Sequence, residues 1–245
     1  MPALATVGSM REFLMAASTP RRIALRTVAA GVDSDAGGLV LPEAPPAQGI
    51  ALKWFELTKP VGIAARLFDA SVPVYLVGFA WDLSGKAPSV YPSRTADPAG
   101  LRVRLKPGVK TTYGGVGEPV LEPRVIQGGV GLRLFLWRSN ASARAFGEMV
   151  RQVGEALDES KLASGMANVA ALLAGGPQGA AIDAAEKAAV DVAEGAAKAV
   201  GTVLTQAGDD CLDALLGLWT LPQIAKPFGG DGQGHVFRAQ FNPFP

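Results

Sequence analysis

The period of the apolar positions changes along this chain, and each change predicts a different element. From Ile50, short β-type runs alternate with turn residues. Ile50, Leu52 and Trp54 alternate with Ala51, Lys53 and Phe55, as in a strand covered on most of both faces. Val72 to Trp81 is an apolar run of strand length, closed by Asp82-Leu83-Ser84-Gly85. Leu101, Val103 and Leu105 alternate with Arg102, Arg104 and Lys106, the pattern of a half-buried strand with a wet basic face. Val130 to Trp137 places Leu132, Leu134 and Leu136 on one side. Between these runs stand Pro88, Pro92, Pro98, Pro107, Pro119 and Pro123, each removing an amide that a central strand needs. Short strands punctuated in this way predict a sandwich or barrel.

After Ser139-Asn140 the period becomes helical. Phe146, Met149, Val150, Val153 and Leu157 form one stripe, with Arg144, Glu148, Arg151 and Glu155 off it. The pattern predicts one helix to about Leu173, ended by Gly175-Gly176-Pro177, and a second from about Ala180 to Gln206. On the second helix Asp183–Lys187 and Glu194–Lys198 stand four apart with the acid first, the favourable orientation. Its other side offers Ile182, Ala185, Ala189, Val192, Ala196 and Val203, small enough for two helix axes to approach closely as an antiparallel hairpin. Gly208-Asp209-Asp210 ends that helix, Cys211 to Leu221 is apolar again, and Gly229 to Gly234 reads as a flexible turn. His235, Phe237, Ala239 and Phe241 then alternate with Val236, Arg238, Gln240 and Asn242 in a last strand.

Residues 1–48 read as an arm or linker. Ser9-Met10-Arg11-Glu12 has capping-box spacing for a short helix carrying Phe13 and Leu14, and Gly37-Gly38 with Pro42 to Pro46 follows as a linker. The expected fold is therefore α+β: an antiparallel β-sandwich over 49–245 with an antiparallel helical hairpin inserted at about 141–207. In architecture this resembles C2-type β-sandwiches. No sequence motif carries the likeness, so it implies nothing about activity.

Composition narrows the chemistry. Apolar residues make up 49 % and charged residues 18 %, a balance that folds rather than staying disordered. With a net charge of +1 and no basic stripe beyond Arg21-Arg22 and the Arg102 series, nucleic acid is not an expected partner. The single cysteine, Cys211, allows no internal disulfide and reads as an inert buried thiol. No signal peptide is recognisable around Met10 to Ala17, so the expected location is cytoplasmic, or outside by a route without a leader. His235 is the only histidine and reads as structural, so no Ser-His-Asp or Cys-His site is expected. Gly114-Gly115-Val116-Gly117, Gly128-Gly129-Val130-Gly131 and Gly229 to Gly234 lack a P-loop lysine and dinucleotide spacing, and read as turns. Asp69, Asp82, Asp97, Asp209, Asp210 and Asp231 are the candidate calcium ligands. They are single acids except at Asp209-Asp210, so calcium is disfavoured, and Asp82, Asp209 and Asp210 read as ordinary turn residues. No cofactor, metal or catalytic residue is expected.

The unusual segment is Leu162 to Ile182, which carries no charge. It is rich in Ala and Gly and interrupted by Gly175-Gly176-Pro177, which argues against a membrane span. We expect Met166, Val169, Leu172, Leu173, Ile182, Val192 and Val203 to form an interaction surface. The expected function is a non-enzymatic structural module that assembles with itself or with a protein partner. A membrane-perturbing effector that exposes the hairpin is the second expectation, and an enzyme of unfamiliar type the third.

Overall fold

A computed structural model of the chain describes residues 6–7, 9–18, 46–61, 71–93, 101–138, 143–174, 179–206, 209–232 and 236–245. Arg21-Arg22, Gly37-Gly38, Asp69, Asp97, Ser139-Asn140, Gly175-Gly176-Pro177 and His235 lie outside them. The elements run β1 (Thr6–Val7), α1 (Met10–Ser18), β2 (Gln48–Leu57), β3 (Val72–Trp81), β4 (Ser89–Tyr91), β5 (Val103–Leu105), β6 (Lys110–Thr112), β7 (Glu118–Arg124) and β8 (Gly129–Arg138). Three helices follow, α2 (Ala143–Glu159), α3 (Leu162–Ala174) and α4 (Gly179–Gln206). The chain then returns through β9 (Asp210–Thr220), the single-turn α5 (Leu221–Ile224), β10 (Phe228–Asp231) and β11 (Phe237–Phe244).

The protein is mixed α+β with two sheets. The first has the order β1-β9-β8-β3-β4 with β5 also on β3; the second has the order β10-β11-β2-β6 with β7 also on β2. Every pairing between these strands is antiparallel except β1 with β9. One core fills the space between the sheets, with Leu52, Phe55, Leu76, Leu134, Leu215 and Phe241 among its members. A second lies between the first sheet and the helices, joining Tyr75, Phe79, Phe135 and Trp137 to Met149, Val153, Met166 and Ala189. Helices, first sheet and second sheet thus stack as layers, each holding its neighbour by apolar burial.

This layering explains the sequence texture. β3 and β8 are covered on both faces, so Val74 and Leu76 point into one core while Tyr75 and Val77 point into the other. Such strands read as unbroken apolar runs. β9 lies beside β8 under the same cover, and its sequence gave no period for that reason. β11 is covered on one side only: Phe237, Ala239 and Phe241 are buried, and Arg238 is exposed.

Four expectations are corrected. The helix foreseen to about Leu173 is two helices, separated at Lys161 with φ 58°. Five residues separate Leu157 from Leu162, a phase step of about 140° on a helix, so one straight rod would turn the second stripe away from the sheet. The Leu101–Leu105 alternation yields only Val103–Leu105 as strand. Phe228 to Asp231 is a strand, not a flexible turn, because Gly229 lets its backbone lie against the Ala239 carbonyl where a Cβ would collide. Asp82 and Asp209 are buried rather than ordinary turn residues. Asp82 accepts from the Gln127 amide at 3.0 Å and pairs with Arg124 at 3.2 Å. Asp209 accepts the Tyr75 hydroxyl at 2.7 Å.

Ser9 Oγ accepts the Glu12 amide at 3.4 Å to start α1, which buries Phe13 and Leu14 beside the first sheet and α4. Asp213, on β9 of the first sheet, accepts the amides of Val236 and Phe237 at 2.9 and 3.2 Å, where the chain enters β11 of the second.

Candidate functional site

The residues expected to form an interaction surface are distributed unevenly. Met166, Val169, Leu173 and Ile182 are buried in the core beneath the helices, and Val192 and Val203 are half-buried against it. Only Leu172 faces solvent, at 43 % exposure. α3 and α4 approach closely at Gly165, where a Cβ would stand 2.6 Å from a Val192 methyl. The outer positions of α3 are Ser164, Ala167, Asn168, Ala171, Leu172 and Ala174, all exposed and none charged. The helices beside it differ. α2 exposes Glu148, Arg151, Glu155, Asp158 and Glu159, and α4 exposes Asp183, Lys187, Asp191, Glu194 and Lys198. α1, which packs beside α3, adds Met15 at 49 % exposure.

A second surface lies on the opposite side of the molecule, on the face of the second sheet turned away from the first. Register places two rows of side chains across four strands. The first row is Asp231, Arg238, Glu56 and Lys110, directly opposite one another on β10, β11, β2 and β6. Its charges alternate in sign. Arg238 donates to Glu56 at 2.7 Å and lies 4.0 Å from Asp231, with its side chain 53 % exposed and that of Glu56 only 6 %. The second row is Gly229, Gln240, Trp54 and Thr112. The Trp54 indole N–H donates to the Gln240 side-chain oxygen at 2.7 Å, and the Lys110 ammonium stands 4.1 Å above the ring. Because Gly229 contributes no side chain, the second row opens at its β10 end into a depression of about 400 Å³ bounded by Trp54, Phe228, Asp231, Arg238 and Gln240. The sequence showed Arg238 and Gln240 as the polar side of the last strand, but it carried no sign that Trp54 and Glu56 lie opposite them.

Among the described residues, no three His, Cys, Asp or Glu side chains gather as a metal-binding group. Asp210 lies at the start of β9 paired with Arg138, at the end of β8 opposite to the one beside Asp82. Cys211 is corrected from a buried to an exposed residue. Its sulfur nevertheless leans on the Asp213 carbonyl at 3.6 Å, and desolvation with the Asp213 charge pushes the thiol up to about 11. Exposure and acidity therefore point in opposite directions for reactivity, and thiolate supply decides. Alkylation by iodoacetamide near neutral pH is expected to run roughly tenfold slower than for an unhindered thiol, the scarcer thiolate being partly offset by its greater nucleophilicity. Its rate should climb until about pH 11. A plateau near pH 8.5 in mass-spectrometric labelling would contradict this.

Compared with family models, curated proteins and solved structures, the chain matches none. Among the described residues, no helix is long and apolar enough to cross a membrane.

Proposed function

We propose that this chain is a non-enzymatic structural module: a C2-like β-sandwich carrying a helical hairpin between β8 and β9, which assembles with a second copy of itself through the outer face of α3. The observation that supports this reading is the contrast between α3 and its neighbours. An exposed helix normally turns charge to water, as α2 and α4 do. α3 turns out six uncharged residues, with Met15 of α1 alongside. One leucine among alanines is self-complementary about a two-fold axis, since each Leu172 meets the small residues of the other copy. The face is narrow, so the expected association is weak, roughly micromolar.

Light scattering across roughly 1–100 µM protein tests this. The wild type should shift from monomer towards dimer, and Ala171→Arg should remain monomeric with unchanged circular dichroism, because the side chain it replaces is exposed. A wild type that stays monomeric over the whole range ends the proposal. The same uncharged face also motivates the membrane-perturbing reading. Dye release from vesicles that is abolished by Leu172→Asp, without dimer formation in solution, would favour that alternative.

A further inference from the structure

We propose that the depression on the outer face of the second sheet is a binding site for a neutral saccharide, with Trp54 as the platform for a pyranose ring. This goes beyond the assembly reading and concerns the opposite side of the molecule. Three features select the ligand. The first is size: about 400 Å³ is the volume of a small-ligand site and accommodates one or two sugar rings. The second is charge. The row beside the depression holds two acids and two bases, Asp231, Glu56, Arg238 and Lys110, in alternation, so it offers no net field to an anion or a cation. The carboxylates also disfavour a phosphate backbone.

The third feature is the combination of a flat aromatic with polar groups held in fixed geometry. Trp54 is pinned by its N–H bond to Gln240, which uses the amide oxygen and leaves the amide NH2 as a donor. Arg238 is held between Glu56 and Asp231 yet remains half exposed, so part of its guanidinium can still donate. Gly229 and Gly230 place bare backbone at the rim. Lys110 covers one face of the indole, so a sugar presents its apolar ring face to the other and its hydroxyls, each both donor and acceptor, to the surrounding groups. Fixing these groups beforehand lowers the ordering cost of binding.

The tryptophans supply the readout. Of the four, Trp81, Trp137 and Trp219 are no more than 5 % exposed, so acrylamide quenching of the intact chain reports mainly Trp54. The probes are cellohexaose, xylohexaose, mannohexaose, chitohexaose and maltohexaose, each titrated to roughly 5 mM, with the Trp54 indole N–H followed by NMR as a second signal. We expect at least one to shield Trp54 from acrylamide and to shift its indole resonance. Trp54→Ala should weaken that binding roughly tenfold, Trp54→Phe should weaken it less, and Gln240→Ala should weaken it while leaving the platform in place. Failure of all five probes to change either wild-type signal overturns the proposal, and so does binding that survives Trp54→Ala undiminished.

Discussion

Asp213→Ala is expected to lower the unfolding free energy by about 3–5 kcal/mol, measured by denaturant titration. The carboxylate is 4 % exposed and accepts three backbone amides, those of Ala214, Val236 and Phe237, at 2.9, 2.9 and 3.2 Å. Hydrogen bonds to an ionised acceptor are the strong kind, and alanine would leave these donors, two of them buried, without that acceptor. The position amplifies the loss, because Asp213 belongs to the first sheet while Val236 and Phe237 lead into the last strand of the second. That strand carries Arg238 and Gln240, so amide exchange at Phe237 and acrylamide access to Trp54 should both rise in the variant. Asp213→Asn retains one acceptor oxygen and should lose about half as much. A loss below about 1 kcal/mol in Asp213→Ala would show that the two sheets hold their register without this carboxylate.

What was legible in the sequence follows from how many faces each element buries. β3 and β8 stood out because both their faces are covered, and β11 because only one is. β9 lies beside β8 and was visible only as an apolar run from Cys211 to Leu221; Asp213 inside it and a register shift opposite Leu136 and Trp137 left it without the alternation that marks a strand. The break between α2 and α3 was present as the five-residue step from Leu157 to Leu162, a signal of phase rather than composition. Of the buried acids, Asp82 and Asp209 passed as turn residues, and only Asp213 was signalled. Asp213 interrupts an apolar run, and a charge at such a position needs partners that only the fold can name. The depression could not be read at all. It depends on Gln240 facing Trp54 and Arg238 facing Glu56, a register that includes a shift between Gln240 and Phe241. No local pattern specifies which strands become neighbours across so much intervening chain.

Arg133 poses the opposite problem to Asp213, since replacing it should stabilise the fold. It lies on β8 with Phe135 and Trp137, facing the helices, and is 2 % exposed. Among the described residues, its Nε and Nη1 have no hydrogen-bond acceptor. The Phe135 ring, 5.5 Å from the guanidinium carbon, gives a partial cation–π contact. Burial pushes the guanidinium down to about 10, with Glu194 and Cys211 opposing weakly. A folded-state value below the unfolded one means that the folded chain binds the proton less tightly. The penalty is therefore fully present at neutral pH, where Arg133 is charged, and is relieved only as pH rises through about 10. Arg133→Met keeps an apolar stem of similar reach and removes the charge, so it should raise stability at pH 7 by about 1–4 kcal/mol. The advantage of the variant over the wild type should narrow above pH 10, because only the wild type has a cation to discharge. Paired denaturant titrations at neutral and alkaline pH measure both effects. If Arg133→Met is instead less stable by more than about 1 kcal/mol, the guanidinium contributes more through Phe135 and Glu194 than it loses by leaving water. The layer between the first sheet and α4 would then be held together by that charge rather than despite it.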